Sequence, residues 1–281
     1  MDWSARSAPS PRAPTKDAIF ICSGRPGAIE DPIYCRTRDD AMALLRAQID
    51  AALARDKRLC IGFDFAFGYP RGFAQHLTGQ ADAPAVWQWL AEHIEDDSRN
   101  ANNRFEVANK INARFPGVGP FWGHPSGRGF AHLPERGTLR HSHGMPERRA
   151  IETCVGTAQP CWKLFTTGSV GSQSLLGLPR IAALRAQYGE NIAVWPMDTG
   201  WRAPHAAISL VEIYPSFMTP KDQSLSEGEI LDAAQVRWVV QAILAAQEAG
   251  QLHKWFAGNG CAETAREEGW IFGVTPDKVP S

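Results

Sequence analysis

Apolar positions recur at three- and four-residue steps in two long stretches of this chain. From Asp39 to Arg55 they are Met42, Leu44, Leu45, Ile49, Ala52 and Leu53. From Ile230 to Ala249 they are Ile230, Ala233, Ala234, Trp238, Val239, Ala242, Ile243 and Ala246. That period is the buried face of an amphipathic helix, and Asp39 or Asp40 supplies an N-cap for the first. Short apolar runs at Ala18 to Cys22, Leu59 to Phe65, Ile192 to Trp195 and Ala206 to Tyr214 read as strands, the second closed by the turn Gly68-Tyr69-Pro70. Further helices are predicted at Ala83 to Ile94, Asn103 to Phe115 and Leu178 to Tyr188. Strand, helix, strand in sequence implies an α/β core.

The pattern breaks between about Phe73 and Gln159, where a long Gly/Pro/His/Arg stretch, Pro116 to Pro146, follows two helices. Irregular stretches of that length are usually functional or mobile, so this region reads as an insertion into the core. Ser4 to Lys16, rich in Pro, Ala and Ser, reads as a loop. A length of 281 residues fits one domain, 1–281, carrying that insertion at about 73–159.

Composition changes this picture little. Hydrophobic residues at 44% and charged residues at 21% are ordinary for a globular chain. The net charge of −1 advertises no polyanionic partner for the molecule as a whole. Locally the balance differs. Arg99, Arg104, Lys110, Arg114, Arg128, Arg136, Arg140, Arg148 and Arg149 face only Glu106, Glu135 and Glu147, giving +6 within one segment. Phe105, Phe115, Phe121, Trp122 and Phe130 are interleaved with them. Cations beside aromatics suit a nucleic-acid backbone with stacked bases; a solvated loop with inward aromatics gives the same pattern. The six cysteines form no CxxC pair, which reads as reduced thiols and not as a disulfide framework or zinc site. His132, His141 and His143 lack supporting ligands at metal-site spacing. No apolar run approaches the ~18 residues of a membrane span, and no apolar signal segment opens the chain, so a cytoplasmic location is expected.

The candidate chemistry lies in four carboxylates. Asp64 interrupts the apolar run Ile61-Gly62-Phe63 and Phe65, and Glu212 sits between Val211 and Ile213, both just before turns. A buried ionised carboxylate costs several kcal/mol unless paired, hydrogen-bonded or metal-bound. Each alone could instead face solvent or cap a turn. Asp232 opens the last long helix, where an acid also suits the helix dipole. Asp2 stands at the start of Asp2-Trp3-Ser4-Ala5.

Taken in order, DWSA (2–5), GFDFAFGYP (62–70), GSVGSQSLLGLPR (168–180), LVEIYPS (210–216), DAAQVRW (232–238) and EEGWIFG (267–273) resemble the predicted ribonuclease-H-like nucleases grouped as domain-of-unknown-function 429. The block NNRFEVANKINARFPGVGPFWG (102–123) resembles one branch of that family. The resemblance implies a mixed five-stranded sheet flanked by helices. It also implies that Asp2, Asp64, Glu212 and Asp232 form an acidic cluster holding two Mg²⁺ or Mn²⁺ ions about 4 Å apart for phosphodiester hydrolysis. Hard oxygen ligands suit those ions. The family fold leads a strand into its first Asp, whereas here Met1 alone precedes Asp2, so either the start is placed too late or the first half of that strand is lacking. Asp64 and Glu212 are expected on neighbouring strands with both carboxyls in one cleft, and Gln173, Arg104, Lys110, Arg148 and Arg149 are the expected substrate contacts. Gly168 to Gln173 lacks the Lys-Ser/Thr of a P-loop and reads as a tight turn before a helix. Two other function classes compete: a non-catalytic nucleic-acid or ligand-binding module on the same fold, and a nucleotide-binding phosphotransferase. The latter calls for paired phosphate-binding Gly loops, which the sequence lacks.

Overall fold

The computed structural model describes residues 1–219, 223–258 and 260–275. It is a mixed α/β arrangement of helices around small sheets. β1 (Ile19–Ile21) pairs antiparallel with β4 (Ile33–Cys35), and between them β2 (Gly24–Arg25) and β3 (Ala28–Ile29) make a tight hairpin that the apolar pattern did not reveal. A parallel three-stranded sheet follows, made of β5 (Leu59–Phe63), β6 (Ile192–Val194) and β7 (Ile208–Glu212) in the order β5-β7-β6. Register runs from Leu59 opposite Ile208 to Phe63 opposite Glu212. Hydrogen-bonded ladders therefore give sheets of two, two and three strands, not one of five.

Residues 1–3 occupy the space between these sheets. The Asp2 amide donates to Phe20 O at 2.9 Å, and the Met1 nitrogen donates to Gly62 O at 2.7 Å. Trp3 is buried against Phe63 and Phe65. The opening residues thus link β1 to β5 and carry Asp2 to the end of β5.

The two long helices form where the apolar period placed them. α1 (Arg38–Leu53) is capped by Thr37, not by Asp39 or Asp40; Asp40 completes a capping box by accepting from the Thr37 amide. The buried face of α1 is Ala41, Met42, Leu45 and Ile49. α2 (Phe73–Thr78), α3 (Ala83–His93), α4 (Arg104–Asn112) and α5 (Ala150–Cys154) lie in the region read as an insertion. α6 spans Val170–Tyr188, beginning well before the expected Leu178, and packs on α3. Gly171 and Gly177 inside it are contact points. A Cβ at Gly171 would stand 2.3 Å from Cys161 O, and one at Gly177 would meet the Phe65 ring at 2.2 Å. After α7 (Pro215–Met218), α8 (Leu231–Glu248) packs on β1 and on the β2–β3 hairpin.

The segment around EEGWIFG (267–273) closes the far side of the sheet. Phe272 N donates to Glu212 O at 2.8 Å, and Trp270, Ile271 and Phe272 are buried with Trp195, Val211 and Ile213. No helix among the described residues is long and apolar enough to cross a membrane.

Candidate active site

Asp2, Asp64 and Asp232 come from three separate elements: the opening segment, the end of β5 and the first turn of α8. The Asp2 and Asp64 side chains share a hydrogen bond, and the Asp232 charge lies near enough to act on both. Each aspartate is half-buried. Asp64 Oδ1 accepts from the Trp3 amide at 2.6 Å, and Asp232 Oδ2 accepts from the Asp17 amide at 2.7 Å. The peptide between Trp3 and its neighbours is held from both sides, because Gln173 Nε2 donates to Trp3 O at 2.6 Å. Gln173 thus braces the backbone that carries Asp2.

The electrostatics follow from like charges in a desolvated place. Desolvation, then the Asp64 charge and hydrogen bond, then Asp232, push the Asp2 carboxyl well above its ordinary range. Desolvation also raises Asp64, against the opposing hydrogen bonds from Asp2 and the Trp3 amide. Desolvation raises Asp232 in turn.

Glu212 is elsewhere. Its carboxylate takes a two-pronged ion pair from Arg149, Nη2 to Oε1 at 2.6 Å and Nη1 to Oε2 at 2.8 Å, and accepts from the Phe67 amide at 3.0 Å. Both side chains are almost wholly buried. The register pairs Glu212 with Phe63, one residue short of Asp64, and side chains alternate along a strand. Asp64 and Glu212 therefore lie at the ends of neighbouring strands, as expected, but their carboxyls have separate partners and the expected four-carboxylate cluster does not assemble. Among the described residues no three His, Cys, Asp or Glu side chains stand in a ready-made metal cage. The Asp2–Asp64 pair offers oxygen donors that suit a hard dication; among the described residues no Lys or Arg side chain makes an ion pair with it, and the nearby positive charge is the Met1 ammonium, which opposes the rise of both carboxyls.

Three of the nine cations of the basic segment, Arg128, Arg140 and Arg149, are ion-paired among the described residues. Arg149 is buried and also bonds Glu152 Oε1 and Glu268 O, so it is not presented to a substrate. Burial works against its charge, but Glu212 and Glu152 outweigh burial and hold the guanidinium more firmly protonated than usual. Arg148 spends Nη1 on Glu152 O and Ala158 O. Arg140 pairs with Glu147, and Arg128 pairs with Glu106 on the surface. Lys110 is exposed near the Trp89 ring. Arg104 is 7% exposed and bonds Ser172, Ser7 and Asn102.

Sequence reasoning missed the partners that decide these roles. Arg149 lies 63 positions before Glu212, and a charge count reads it as free. Glu267 and Glu268 carried no assigned role within the motif EEGWIFG. In fact Glu267 accepts from the Gly72 and Ala74 amides, and Glu268 accepts from those of Arg71 and Ala150. Their signal was the rarity of two adjacent carboxylates before a buried aromatic run. Comparison with known proteins adds no family: no family model matches the chain, and no curated protein or solved structure matches it.

Proposed function

We propose that this protein is a divalent-metal-dependent phosphodiesterase acting on nucleic acid, built on a ribonuclease-H-like core. The observation that carries the reading is the hydrogen-bonded Asp2–Asp64 pair flanked by Asp232. Asp2 and Asp64, brought together from segments far apart in sequence with Asp232 at their flank, offer oxygen donors that a dication would complete. Support for the finer fold comes from the bonds of residues 1–3. They extend the order to β4, β1, residues 1–3, β5 and β7, with β1 antiparallel to both its neighbours.

Asp2 and Asp64 would hold Mg²⁺ or Mn²⁺, with Asp232 at the flank, and the ion when bound would supply an activated water and charge stabilisation at the phosphoryl group. The chain's own contribution is positioning. Trp3 N fixes Asp64, Gln173 fixes Trp3 O, and Asp17 N orients Asp232. A dication held by these carboxylates, which burial raises above their ordinary range, would compete with protons, so its affinity would rise with pH. Glu212 has no part in this site and serves as the counter-charge of Arg149.

The test is incubation of the full chain with single- and double-stranded DNA and RNA in Mg²⁺ and in Mn²⁺, beside Asp64→Asn. Metal-dependent cleavage lost in Asp64→Asn supports the reading. Absence of cleavage of every substrate in both metals overturns it. A binding module on the same fold is the second reading, because the Arg149 pair removes one carboxylate from the set a two-ion centre uses.

A further inference from the structure

Arg104 is a buried cation without a counter-charge. No carboxylate among the described residues pairs with it, whereas the buried Arg38 pairs with Asp96 and the buried Arg149 with Glu152 and Glu212. Its guanidinium bonds neutral oxygens only: Nε to Ser172 Oγ at 2.9 Å, and Nη1 to Ser7 Oγ at 2.9 Å and Asn102 Oδ1 at 2.7 Å. Nη2 makes no hydrogen bond, yet it is not among the buried polar atoms sealed without a partner, so it keeps access to solvent.

The end of α6 adds positive potential here, while the carboxylates Glu106 and Asp96 act on Arg104 from a distance and are ion-paired to Arg128 and Arg38. Ser172 lies in the first turn of α6, a 19-residue helix whose N-terminal end carries partial positive charge. Arg104 stands 4.3 Å from the Phe105 ring centroid, and Arg128 stands 5.6 Å from the same centroid. Burial, then the charges of Arg38 and Arg128, lower the Arg104 guanidinium to about 10. Ser172 Oγ donates to Leu164 O and so only accepts from Arg104. Ser7 is exposed and accepts from Nη1, which turns its own hydroxyl hydrogen away from the guanidinium. A solvent-reaching N–H, an exposed hydroxyl and a guanidinium with no ion-pair partner among the described residues together suit a tetrahedral oxyanion.

We infer that Arg104 Nη2 and Ser7 Oγ form a phosphate-binding site, and that it holds a non-scissile phosphate of the substrate strand beside the aspartate centre. This rests on the phosphodiesterase reading for its role, but not for the binding itself. Geometry links the two sites: Gln173, the neighbour of Ser172 on α6, bonds the Trp3 carbonyl next to Asp2. A substrate reaching both sites spans more than one phosphate, which favours an oligonucleotide over a mononucleotide.

The experiment follows the Arg104 Nε–Hε NMR signal of the full chain in metal-free buffer. The probes are inorganic phosphate and a short oligonucleotide without terminal phosphates; Arg104→Gln assigns the signal by its loss. Inorganic phosphate is expected to shift the signal equally in wild type and Asp64→Asn. Arg104→Gln should weaken phosphate binding, followed by tryptophan fluorescence, at least about tenfold, and Arg104→Lys should recover part of it. The oligonucleotide shifting the same signal supports an internal phosphate as the source, and a response to inorganic phosphate alone supports a free or terminal one. If phosphate leaves the wild-type Arg104 signal unmoved, the site does not exist, whatever the variants do. Metal-dependent cleavage with a silent Arg104 overturns this inference and leaves the phosphodiesterase reading standing; phosphate binding without cleavage does the reverse.

Discussion

The Arg149 guanidinium meets both carboxylate oxygens of Glu212 in a parallel fork, at 2.6 and 2.8 Å, inside the core formed by the C-terminal end of β7. Removing one member leaves the other charged and buried. Glu212→Gln is expected to cost about 3–5 kcal/mol of folding stability, the range for breaking a buried pair. Arg149→Met is expected to cost more, because it leaves both Glu212 and Glu152 buried without their cation. Urea denaturation of the two variants checks both statements.

Asp2 and Asp64 oppose each other in the folded protein without metal. Their carboxyls are raised above the ordinary range, so the stability that the protonated pair contributes is present at low pH and is lost as pH rises through the folded-state values. Metal-free protein should therefore lose melting temperature on going from mildly acidic to neutral pH. Asp2→Asn should raise Tm at neutral pH in EDTA and flatten that slope, while abolishing stabilisation by Mg²⁺. Thermal melts across pH, with EDTA and with Mg²⁺, decide it. An unchanged Mg²⁺ shift in Asp2→Asn would remove Asp2 from the metal site.

Asp96 behaves in the opposite sense. Burial raises its carboxyl, but hydrogen bonds and charge from Arg38 and Arg180 outweigh that and hold it below the ordinary range. Its contribution is present above the unfolded value of about 3.9 and is lost as pH falls through the folded one. Asp96→Asn should flatten the acid limb of the stability curve and leave Mg²⁺ binding unaltered. Arg38 is fully buried and also bonds Ser4 O, Arg6 O and Asn100 O, so Arg38→Met should destabilise more than Asp96→Asn.

Gln173 is expected to act through the backbone of Trp3. Gln173→Leu removes the donor to Trp3 O and loosens Asp2 while keeping the size of the side chain. Outer-shell losses of this kind weaken metal binding about 10–100-fold. Isothermal titration with Mn²⁺ should record that drop with little change in Tm. Equal Mn²⁺ affinity in the variant would show that the contact is structural only.

The long helices and the strands of the parallel sheet were legible because each follows one hydrophobic period over enough residues to be unambiguous. α6 was only half legible. Gly171, Gly177 and Pro179 look like interruptions, but the two glycines are there because Cys161 O and the Phe65 ring leave no room for a Cβ. The β2–β3 hairpin has two-residue strands exposed to solvent, too short and too polar for alternation to register. Asp64 and Glu212 were both visible as charges inside apolar runs. Which of them faces Asp2 and which faces Arg149 depends on the register of β5 against β7 and on a loop cation far away in sequence, neither of which a local pattern encodes.

The turn at Thr264–Glu268 has a consequence for how the chain matures as it is synthesised. Glu267 and Glu268 supply the acceptors for the amides of Arg71, Gly72, Ala74 and Ala150, and Glu268 O receives Arg149. Until that turn has left the ribosome, the starts of α2 and α5 hold open donors, and the buried guanidinium lacks one of its acceptors. Folding of this half of the protein therefore waits on residues 264–268, and a chain cut before residue 264 would leave those donors open.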